Sequence, residues 1–320
     1  MNAQANKEVS CGHKKLSMKI EDAIEAFERY VSTEKRLATG TVGNYLNDIA
    51  SLWEYVKEAG VEDVEEIKVR DIRSWQMANV EAGISERTMK RKLSSIRVWY
   101  RYMRRMKWVD GDIMSKIVAP KTPKRLPIFF KEKEVERIYD ADIFAEGYEG
   151  ERDKLVLRML YETGMRRSEL VGLKVSSIDF GNETVKVLGK GDKERLIPVE
   201  KELLDNIKEY LALKEKKWPG TTALFIGTRG KALTASGVYA IVRKYMTALS
   251  TADRVSPHVF RHTFATHLLN EGANIDAIKD LLGHASIATT EIYAHATREH
   301  LKEAYRHAHP RAKKNNLTKK

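Results

Sequence analysis

Apolar residues recur at intervals of three and four positions along the first third of the chain. Two such runs are Ile24, Phe27, Tyr30 and Val31, and then Tyr45, Ile49, Leu52, Trp53 and Val56. This spacing puts the apolar side chains on one face of a helix, so it predicts two amphipathic helices. Thr39 or Thr41 is expected to cap the second helix, and Gly60 to end it.

A further helix is predicted between Arg87 and Lys107, and its polar face carries a single sign of charge. Its apolar stripe consists of Met89, Leu93, Ile96, Tyr100 and Met103. The segment contains many basic residues and no acidic one, whereas solvated helix faces usually mix both signs. We therefore expect this face to contact DNA, and a solvated charged face is the alternative. The residues expected to do so are Arg87, Lys90, Arg91, Arg97, Arg101, Arg104 and Arg105.

The second half of the chain is predicted to be mostly helical, with one hairpin. Apolar and polar residues alternate along 183–188 and again along 194–199. The intervening residues, 189–193, include two glycines, as tight turns between antiparallel strands commonly do. The pattern therefore predicts a small antiparallel sheet within a helical domain.

A basic stretch interrupted by prolines, residues 119–127, has the composition of a link between domains. We expect a polar tail over 1–17, a first domain over 18–119, a linker over 120–127, a second domain over 128–310 and a basic tail over 311–320. Lys121, Lys124 and Arg125 in this stretch are expected to contact the same partner as the basic helix.

The charge balance predicts a polyanionic partner. The chain has 320 residues, a formal net charge of +12 and a pI near 9.5, and positive proteins gain affinity for nucleic acid by releasing condensed counterions. Basic residues outnumber acidic ones by the same margin before and after Arg125, so both domains are expected to contact it. A charge-rich thermophile surface is the alternative explanation.

Other sequence features exclude several classes of protein. No apolar run approaches the roughly 20 residues that span a bilayer. The polar start lacks the apolar core of a signal peptide, so we expect a cytoplasmic protein. The only cysteine is Cys11, which excludes an intrachain disulfide and a thiolate metal site.

Four segments carry side chains suited to phosphodiester chemistry. Thr163–Leu170 contains Arg166, and the predicted turn contains Lys190. Further along, His258 and Arg261 are three residues apart, and Gly283-His284 is followed by Tyr293. Guanidinium groups stay charged and donate paired hydrogen bonds to phosphate oxygens. Together these groups can surround a phosphodiester, neutralise its developing charge and attack it with the phenol, whose pKa of about 10 demands such activation.

These segments, in this order and spacing, resemble the tyrosine recombinases, or phage-integrase family, and within it the Xer type. The resemblance extends from about Ile20 to Thr297. It implies a mainly α-helical protein, in which an N-terminal helical bundle binds the core site. The catalytic domain is then mostly helical with a small antiparallel β-sheet, and the two domains close as a C-shaped clamp around DNA.

The resemblance also implies residue roles. Tyr293 is the nucleophile that forms a 3′-phosphotyrosine link, and Arg166 and Arg261 clamp the phosphate. Lys190 resembles the family's mobile lysine, which protonates the departing 5′-oxygen, although Lys193 is a rival in the same turn. His258 and His284 complete the catalytic set. Arg167, next to Arg166, is expected to contact the DNA backbone or to be structural, and His295 to have a supporting role.

We expect no metal, nucleotide or other cofactor. His258 and His262 have the i, i+4 spacing of zinc proteases, but Val259 stands where that motif requires a glutamate. His262 and His267 are then expected to be ordinary, partly buried histidines. The glycines around Lys190 fit neither a phosphate-binding loop of the Walker type nor a dinucleotide fingerprint.

The resemblance implies that the substrate is a double-stranded DNA recombination site, and that a tetramer forms on two such sites. An apolar stripe after Tyr293, namely Leu301, Ala304, Tyr305 and Ala308, is then expected to dock into a neighbouring subunit; packing on its own domain is the alternative. Resolution of chromosome or plasmid dimers is the expected role, and integration of a mobile element is the alternative. A type IB topoisomerase and a non-catalytic DNA-binding protein are the rival classes.

Overall fold

The computed structural model describes residues 18–121, 128–189, 193–252 and 254–283. Contacts divide the chain into two compact units, Met1–Arg125 and Leu126–Lys320, and each has its own hydrophobic core. Within the described ranges, no helix is both long and apolar enough to cross a membrane. Both predicted tails and linker residues 122–127 lie outside these ranges.

The first unit is a bundle of helices. These are α1 (Ile20–Arg29), extended by a π-helical turn (Tyr30–Glu34), then α2 (Thr39–Glu58), α3 (Val69–Glu81) and α4 (Glu86–Arg105). Helix α2 packs against the other three. Phe27, Trp75 and Trp99 are the largest apolar side chains in the core between them.

The predicted stripe of α4 is the face that this helix buries. Its five apolar residues are each at most 2% exposed, and the side chain of Ser85 caps the helix by accepting from the Thr88 N–H. Because the apolar face is used for the core, the basic side chains are left on the remaining surface. The expectation of an amphipathic basic helix is therefore confirmed.

The predicted cap of α2 is wrong. The helix begins at Thr39, its N-cap is Ala38, and no side chain caps it. The Ala38 carbonyl accepts from the N–H groups of Thr41 and Val42. Residues 38–40 are exposed, so water can satisfy the first N–H groups without a side-chain cap. At the other end the helix stops at Glu58, two residues before Gly60.

The second unit is mainly helical, as expected. Its helices are α5 (Glu132–Glu136), α6 (Tyr148–Thr163), α7 (Arg167–Val171), α8 (Lys201–Lys217), α9 (Ala235–Leu249), α10 (Pro257–Asn270) and α11 (Ile275–Leu282). Helix α6 is central, since every residue from Leu155 to Thr163 is buried and the helix packs against α8, α9 and α10. Its C-terminal end therefore lies in the interior of the unit.

A three-stranded antiparallel sheet flanks α7, in the order β1 (Ile178–Asp179), β2 (Thr184–Leu188) and β3 (Glu194–Pro198). The predicted hairpin is β2–β3, with Val187 opposite Arg195. Strand β1 was not predicted, because two residues carry no measurable alternation. The tip of the hairpin, residues 190–192, lies outside the described ranges.

Helix α11 closes the described part of the second unit. It ends at Leu282, and its C-cap is Gly283, whose φ of +63° is the left-handed conformation of a helix C-terminus. Leu281 and Leu282 pack with Phe264 and Leu268 of α10 in a small apolar cluster. This packing fixes the position at which the chain continues towards His284.

Candidate active site

The end of α6 and the start of α7 place Arg166. Gly164 ends α6 with φ +59°, and a Cβ there would lie 2.5 Å from Phe264 Cδ1. Only glycine fits this turn, because the backbone is left-handed and packed directly against a buried ring. Two residues later, Arg166 is the N-cap of α7 and its side chain remains 34% exposed.

Glu169, one turn into α7, holds the backbone and the side chain of Arg166. Its carboxylate accepts from the Arg166 N–H at 2.7 Å and from Arg166 Nη1 at 2.8 Å. The backbone bond is the half of a capping box that a glutamate at the third helical position supplies. This spacing was visible in the sequence, but Glu169 was not predicted as a site residue.

Arg195 on β3 binds the same carboxylate. Its Nη1 and Nη2 donate to Glu169 Oε1 and Oε2 at 2.9 and 2.8 Å, and its Nε donates to the carbonyl of Leu281 at 3.0 Å. The side chains of Glu169 and Arg195 are only 2% and 13% exposed. Sequence reasoning also missed Arg195, since nothing local links it to a residue 26 positions earlier.

The carboxylate of Glu169 is charged because of these arginines. Burial alone would raise its pKa, but the hydrogen bonds from Arg195 and Arg166 outweigh burial and lower the pKa to about 2. The site therefore contains one permanent negative charge and several positive ones at neutral pH.

Arg261, one of the predicted clamp residues, joins two segments through their backbones. Its Nη1 donates to the carbonyl of Gly164 at 2.9 Å, and its Nη2 donates to the carbonyl of Leu282 at 2.7 Å. Burial, together with the like charges of Arg166 and Arg195, lowers its pKa to about 10. Arg261 thus remains charged at neutral pH, in surroundings short of negative charge.

The histidines of α10 differ from one another. His258, at the start of the helix and one turn before Arg261, is exposed, and His262 is half-buried. His267, expected to be partly buried, is only 2% exposed. Its Nε2 lies 3.0 Å from the carbonyl of Phe130 and its Nδ1 lies 3.1 Å from Tyr161 Oη. Burial lowers its pKa, so the neutral ring that donates to the carbonyl and accepts from the hydroxyl satisfies both nitrogens.

Lys190, His284 and Tyr293 lie outside the described residues, but the chain approaches the arginine cluster just before the first two. A Cβ on Gly189 would lie 3.7 Å from Glu169 Oε1, and one on Gly283 would lie 3.0 Å from Arg195 Cδ. Lys193, the rival of Lys190, is exposed, and Arg167 is half-buried at the start of α7.

The described basic residues of the first unit that are expected to contact DNA fall into two groups. Arg87, Lys90, Arg101 and Lys121 are exposed. Others also bind within the first unit: Arg91 pairs with buried Asp48, Arg97 donates to the Ile117 carbonyl at 2.9 Å, Arg104 lies 3.2 Å from Asp112, and Arg105 lies 4.5 Å from the ring centre of Tyr30. Lys124 and Arg125 lie outside the described ranges.

No group of three or more His, Cys, Asp or Glu side chains suited to a metal ion occurs among the described residues. The positive charges of this site come instead from Arg166, Arg195 and Arg261. Such an arrangement can bind an anion and stabilise additional negative charge on it without a metal ion.

Two family models match the chain. Residues 129–300 match the phage integrase family, and residues 24–107 match the phage integrase N-terminal SAM-like domain. The chain is 36% identical over 297 residues to tyrosine recombinase XerC of Oceanobacillus iheyensis, covering 91% of this chain and 97% of the relative. It is 34% identical over 303 residues to the XerC of Bacillus subtilis, covering 93% and 99%.

Solved structures share the fold at lower identity. A lambda integrase dimer bound to a COC′ core site is 20% identical, covers 86% of this chain and 100% of that one, and gives a TM-score of 0.64. The pre-cleavage complex of XerH site-specific recombinase bound to a difH substrate is 22% identical, covers 82% and 79%, and gives 0.63.

Proposed function

The chain belongs to the phage integrase family as a Xer-type tyrosine site-specific recombinase, and from that premise we propose how its residues cut and rejoin DNA. Arg166 and Arg261 bind the phosphate to be cleaved, and Tyr293 attacks it. Lys190 protonates the leaving oxygen, with His258 and His284 in support. The expected class of enzyme is confirmed, and these residue roles are the proposal.

The observation that carries the proposal is the pair of hydrogen bonds made by Arg261. These bonds fasten the carbonyl of Gly164, two residues before Arg166, and that of Leu282, two residues before His284. One arginine thus joins three of the four segments that the sequence singles out. A guanidinium has five N–H groups, and among the described residues Arg261 directs two of them to these carbonyls, so the other three can serve a phosphate.

The proposed reaction is a direct transfer of the phosphoryl group. Tyr293 Oη forms a bond to phosphorus while the bond from phosphorus to the 5′-oxygen breaks. The phenolic proton passes to His258, and Lys190 supplies a proton to the 5′-oxygen. The product is a 3′-phosphotyrosine link and a free 5′-hydroxyl. Because the link conserves the energy of the phosphodiester, the reverse reaction rejoins DNA without a nucleotide.

Extra negative charge develops on the non-bridging oxygens during the attack. Fixed donors aimed at such charge stabilise a transition state more than a ground state. Arg166 and Arg261 supply these donors, and Glu169 and the backbone carbonyls hold them in place. The guanidinium groups of this site therefore supply positive charge where the reaction develops negative charge.

We propose that α4 supplies much of the sequence-independent affinity for DNA. Arg87, Lys90 and Arg101 are exposed on a helix whose opposite face is buried. Each phosphate that they neutralise releases counterions, so binding should weaken steeply with salt. Lys121, Lys124, Arg125 and Arg167 extend the proposed contacts.

We further propose that the protein acts as a tetramer on two double-stranded DNA sites in the cytoplasm. A lambda integrase tetramer bound to a Holliday junction shares its fold, with a TM-score of 0.64 at 20% identity. The XerC relatives are 33–36% identical over at least 90% of this chain, and this likeness supports resolution of chromosome or plasmid dimers as the role. Integration of a mobile element is the alternative.

A plasmid that carries two copies of the binding site tests the function. The site is first selected from random duplexes. A recombinase yields two smaller circles from directly repeated sites, whereas a type IB topoisomerase yields only relaxed plasmid and a non-catalytic protein leaves the plasmid unchanged. Tyr293→Phe should yield no product, and Tyr239→Phe, which alters an exposed tyrosine of α9, should recombine normally. Relaxation without recombination by the wild type would contradict the proposal.

A further inference from the structure

Arg195 lies inside the cluster, yet its hydrogen bonds and its burial hold it to the protein more firmly than those of Arg166. All three guanidinium nitrogens already donate, two to Glu169 and one to the Leu281 carbonyl. Its side chain is 13% exposed, against 34% for Arg166. Arg195 therefore has a different role from Arg166 and Arg261, although it has the same charge and lies beside them.

The partners of Arg195 belong to segments that the proposed reaction brings together. Glu169 holds Arg166, and Leu281 precedes Gly283 and His284 in the chain. Arg195 itself stands on β3, where the hairpin begins its return from the turn that contains Lys190. One planar side chain thus links the helix of the first arginine, the hairpin and the end of α11.

We propose that Arg195 is a positioning residue for DNA cleavage, which saturates Glu169 so that Arg166 remains available to the phosphate. A guanidinium and a carboxylate match as a fork of two parallel hydrogen bonds. Arg195 takes that geometry, one nitrogen to each carboxylate oxygen, while Arg166 uses a single side-chain nitrogen. Without Arg195, the bidentate position on Glu169 becomes vacant for Arg166.

After such a rearrangement, the Glu169 carboxylate would compete with the phosphate for the Arg166 guanidinium. Glu169 is buried and charged, so it demands a compensating cation more strongly than an exposed carboxylate does. In the absence of Arg195 the nearest cation bonded to it is Arg166. Arg195 also satisfies the Leu281 carbonyl at the helix end before His284, so its loss releases that end as well.

The experiment compares Arg195→Gln and Arg195→Lys with wild type, and it rests on the proposed recombinase chemistry. A nicked substrate that traps the covalent intermediate reports the cleavage rate, a single-site binding assay reports affinity, and thermal melting reports folding. Arg158→Gln is the matched control. It removes another buried arginine of the same unit, which binds Glu162 and Glu202, and it should lower the melting temperature without changing the cleavage rate of folded protein.

Arg195→Gln should cleave more slowly by on the order of 10- to 100-fold, the loss typical when a group that orients a functional ligand is removed. Binding should change by less than about threefold. Arg195→Lys keeps the charge but loses the planar fork, so it should fold normally and still cleave slowly. Cleavage at the wild-type rate by both variants would overturn the inference. Failure of the wild type to form an adduct would instead contradict the proposed function.

A second substrate distinguishes a defect in the phosphate-binding arginines from a defect in the general acid. With sulfur in place of the bridging 5′-oxygen, the leaving group departs without a proton, because a thiol has a pKa near 8.5. The defect of Arg195→Gln should persist on this substrate relative to wild type. Restoration by sulfur would mean that Arg195 acts by holding the lysine-bearing turn, and the proposed effect on Arg166 would be wrong.

A double variant tests the competition directly. Glu169→Gln removes the negative charge yet keeps an oxygen that can accept from the Arg166 backbone N–H. Added to Arg195→Gln, it should raise the cleavage rate several-fold, because a neutral amide no longer draws Arg166 from the phosphate. A double variant no faster than Arg195→Gln alone would show that Glu169 does not compete, and would overturn the inference.

Discussion

Replacing Arg261 or Arg166 by alanine should have similar effects on catalysis but different effects on stability. Each change removes a guanidinium from the proposed phosphate clamp. Removal of one fixed donor to a developing oxyanion costs on the order of 10²–10³ in rate, so both variants should lose at least that factor in cleavage. Arg167→Ala, next to Arg166 in the chain, is the matched control and should lose far less.

The difference in stability follows from the partners of each arginine. Arg261→Ala leaves the carbonyls of Gly164 and Leu282 without their donor. An unsatisfied buried acceptor costs about 1–3 kcal/mol, and relief from burying the charge, which lowers the pKa of Arg261 to about 10, offsets part of this. We therefore expect a net loss of about 1–3 kcal/mol. For a domain of this size each kcal/mol lowers the melting temperature by roughly 2–4 °C, which gives a fall of roughly 2–12 °C.

Arg166→Ala should be nearly neutral for stability. Its guanidinium is 34% exposed and makes one ion pair with the buried Glu169 carboxylate, and solvent screening around the part-exposed arginine limits the contribution of that pair to about 1 kcal/mol. Glu169 also keeps both hydrogen bonds from Arg195. The melting temperature should then fall by less than about 4 °C. Calorimetry on the purified variants measures this order, and an Arg166→Ala protein less stable than Arg261→Ala would refute the structural reasoning.

Three further changes test other parts of the site. Lys190→Ala should be nearly inactive in cleavage of normal DNA, and sulfur at the bridging 5′-position should largely restore its activity. Lys193→Ala should show neither the loss nor the rescue. If sulfur rescued only Lys193→Ala in cleavage assays, Lys193 would be the general acid. Truncation after Thr297 should preserve single-site binding in gel-shift assays but abolish the two-site complex, and recombination by the truncated protein would contradict docking between subunits. The pKa of Glu169 is lowered from 4.5 to about 2, so its contribution to stability is present above pH 4.5 and is lost as the pH falls towards 2. Urea unfolding should therefore show a loss of roughly 2 kcal/mol between pH 5 and pH 3 that Glu169→Gln lacks, and equal losses in both proteins would refute the ion pair.

Sequence patterns predicted those elements in which the same residues satisfy both the local geometry of the element and the packing of the fold. The stripe of α4 is visible in sequence because the same spacing that makes a helix amphipathic also fills the core. The hairpin β2–β3 is visible because apolar and polar residues alternate on both sides of a turn that contains glycine. The cap at Thr39 failed because exposed N–H groups at the start of α2 need no side chain.

The residues that sequence reasoning missed act through tertiary contacts. Glu169 and Arg195 are 26 positions apart, on a helix and on a strand, and neither belongs to a local pattern that predicts the other. The role of Arg261 was expected from the family resemblance, but its bonds to the Gly164 and Leu282 carbonyls depend on how α6, α10 and α11 pack. The groups that take part in the reaction could therefore be predicted from residue types and the family resemblance, whereas the contacts that hold each group in place became visible only in the fold.

The central claim is that Tyr293 becomes covalently linked to DNA. Wild-type protein is incubated with a nicked target duplex in excess chelator, digested with protease and nuclease, and examined by mass spectrometry. The account predicts a nucleotide attached through its 3′-phosphate to the peptide that contains Tyr293, and no adduct in Tyr293→Phe, which should still bind the duplex. An adduct on another residue, or one that persists in Tyr293→Phe, would contradict the account.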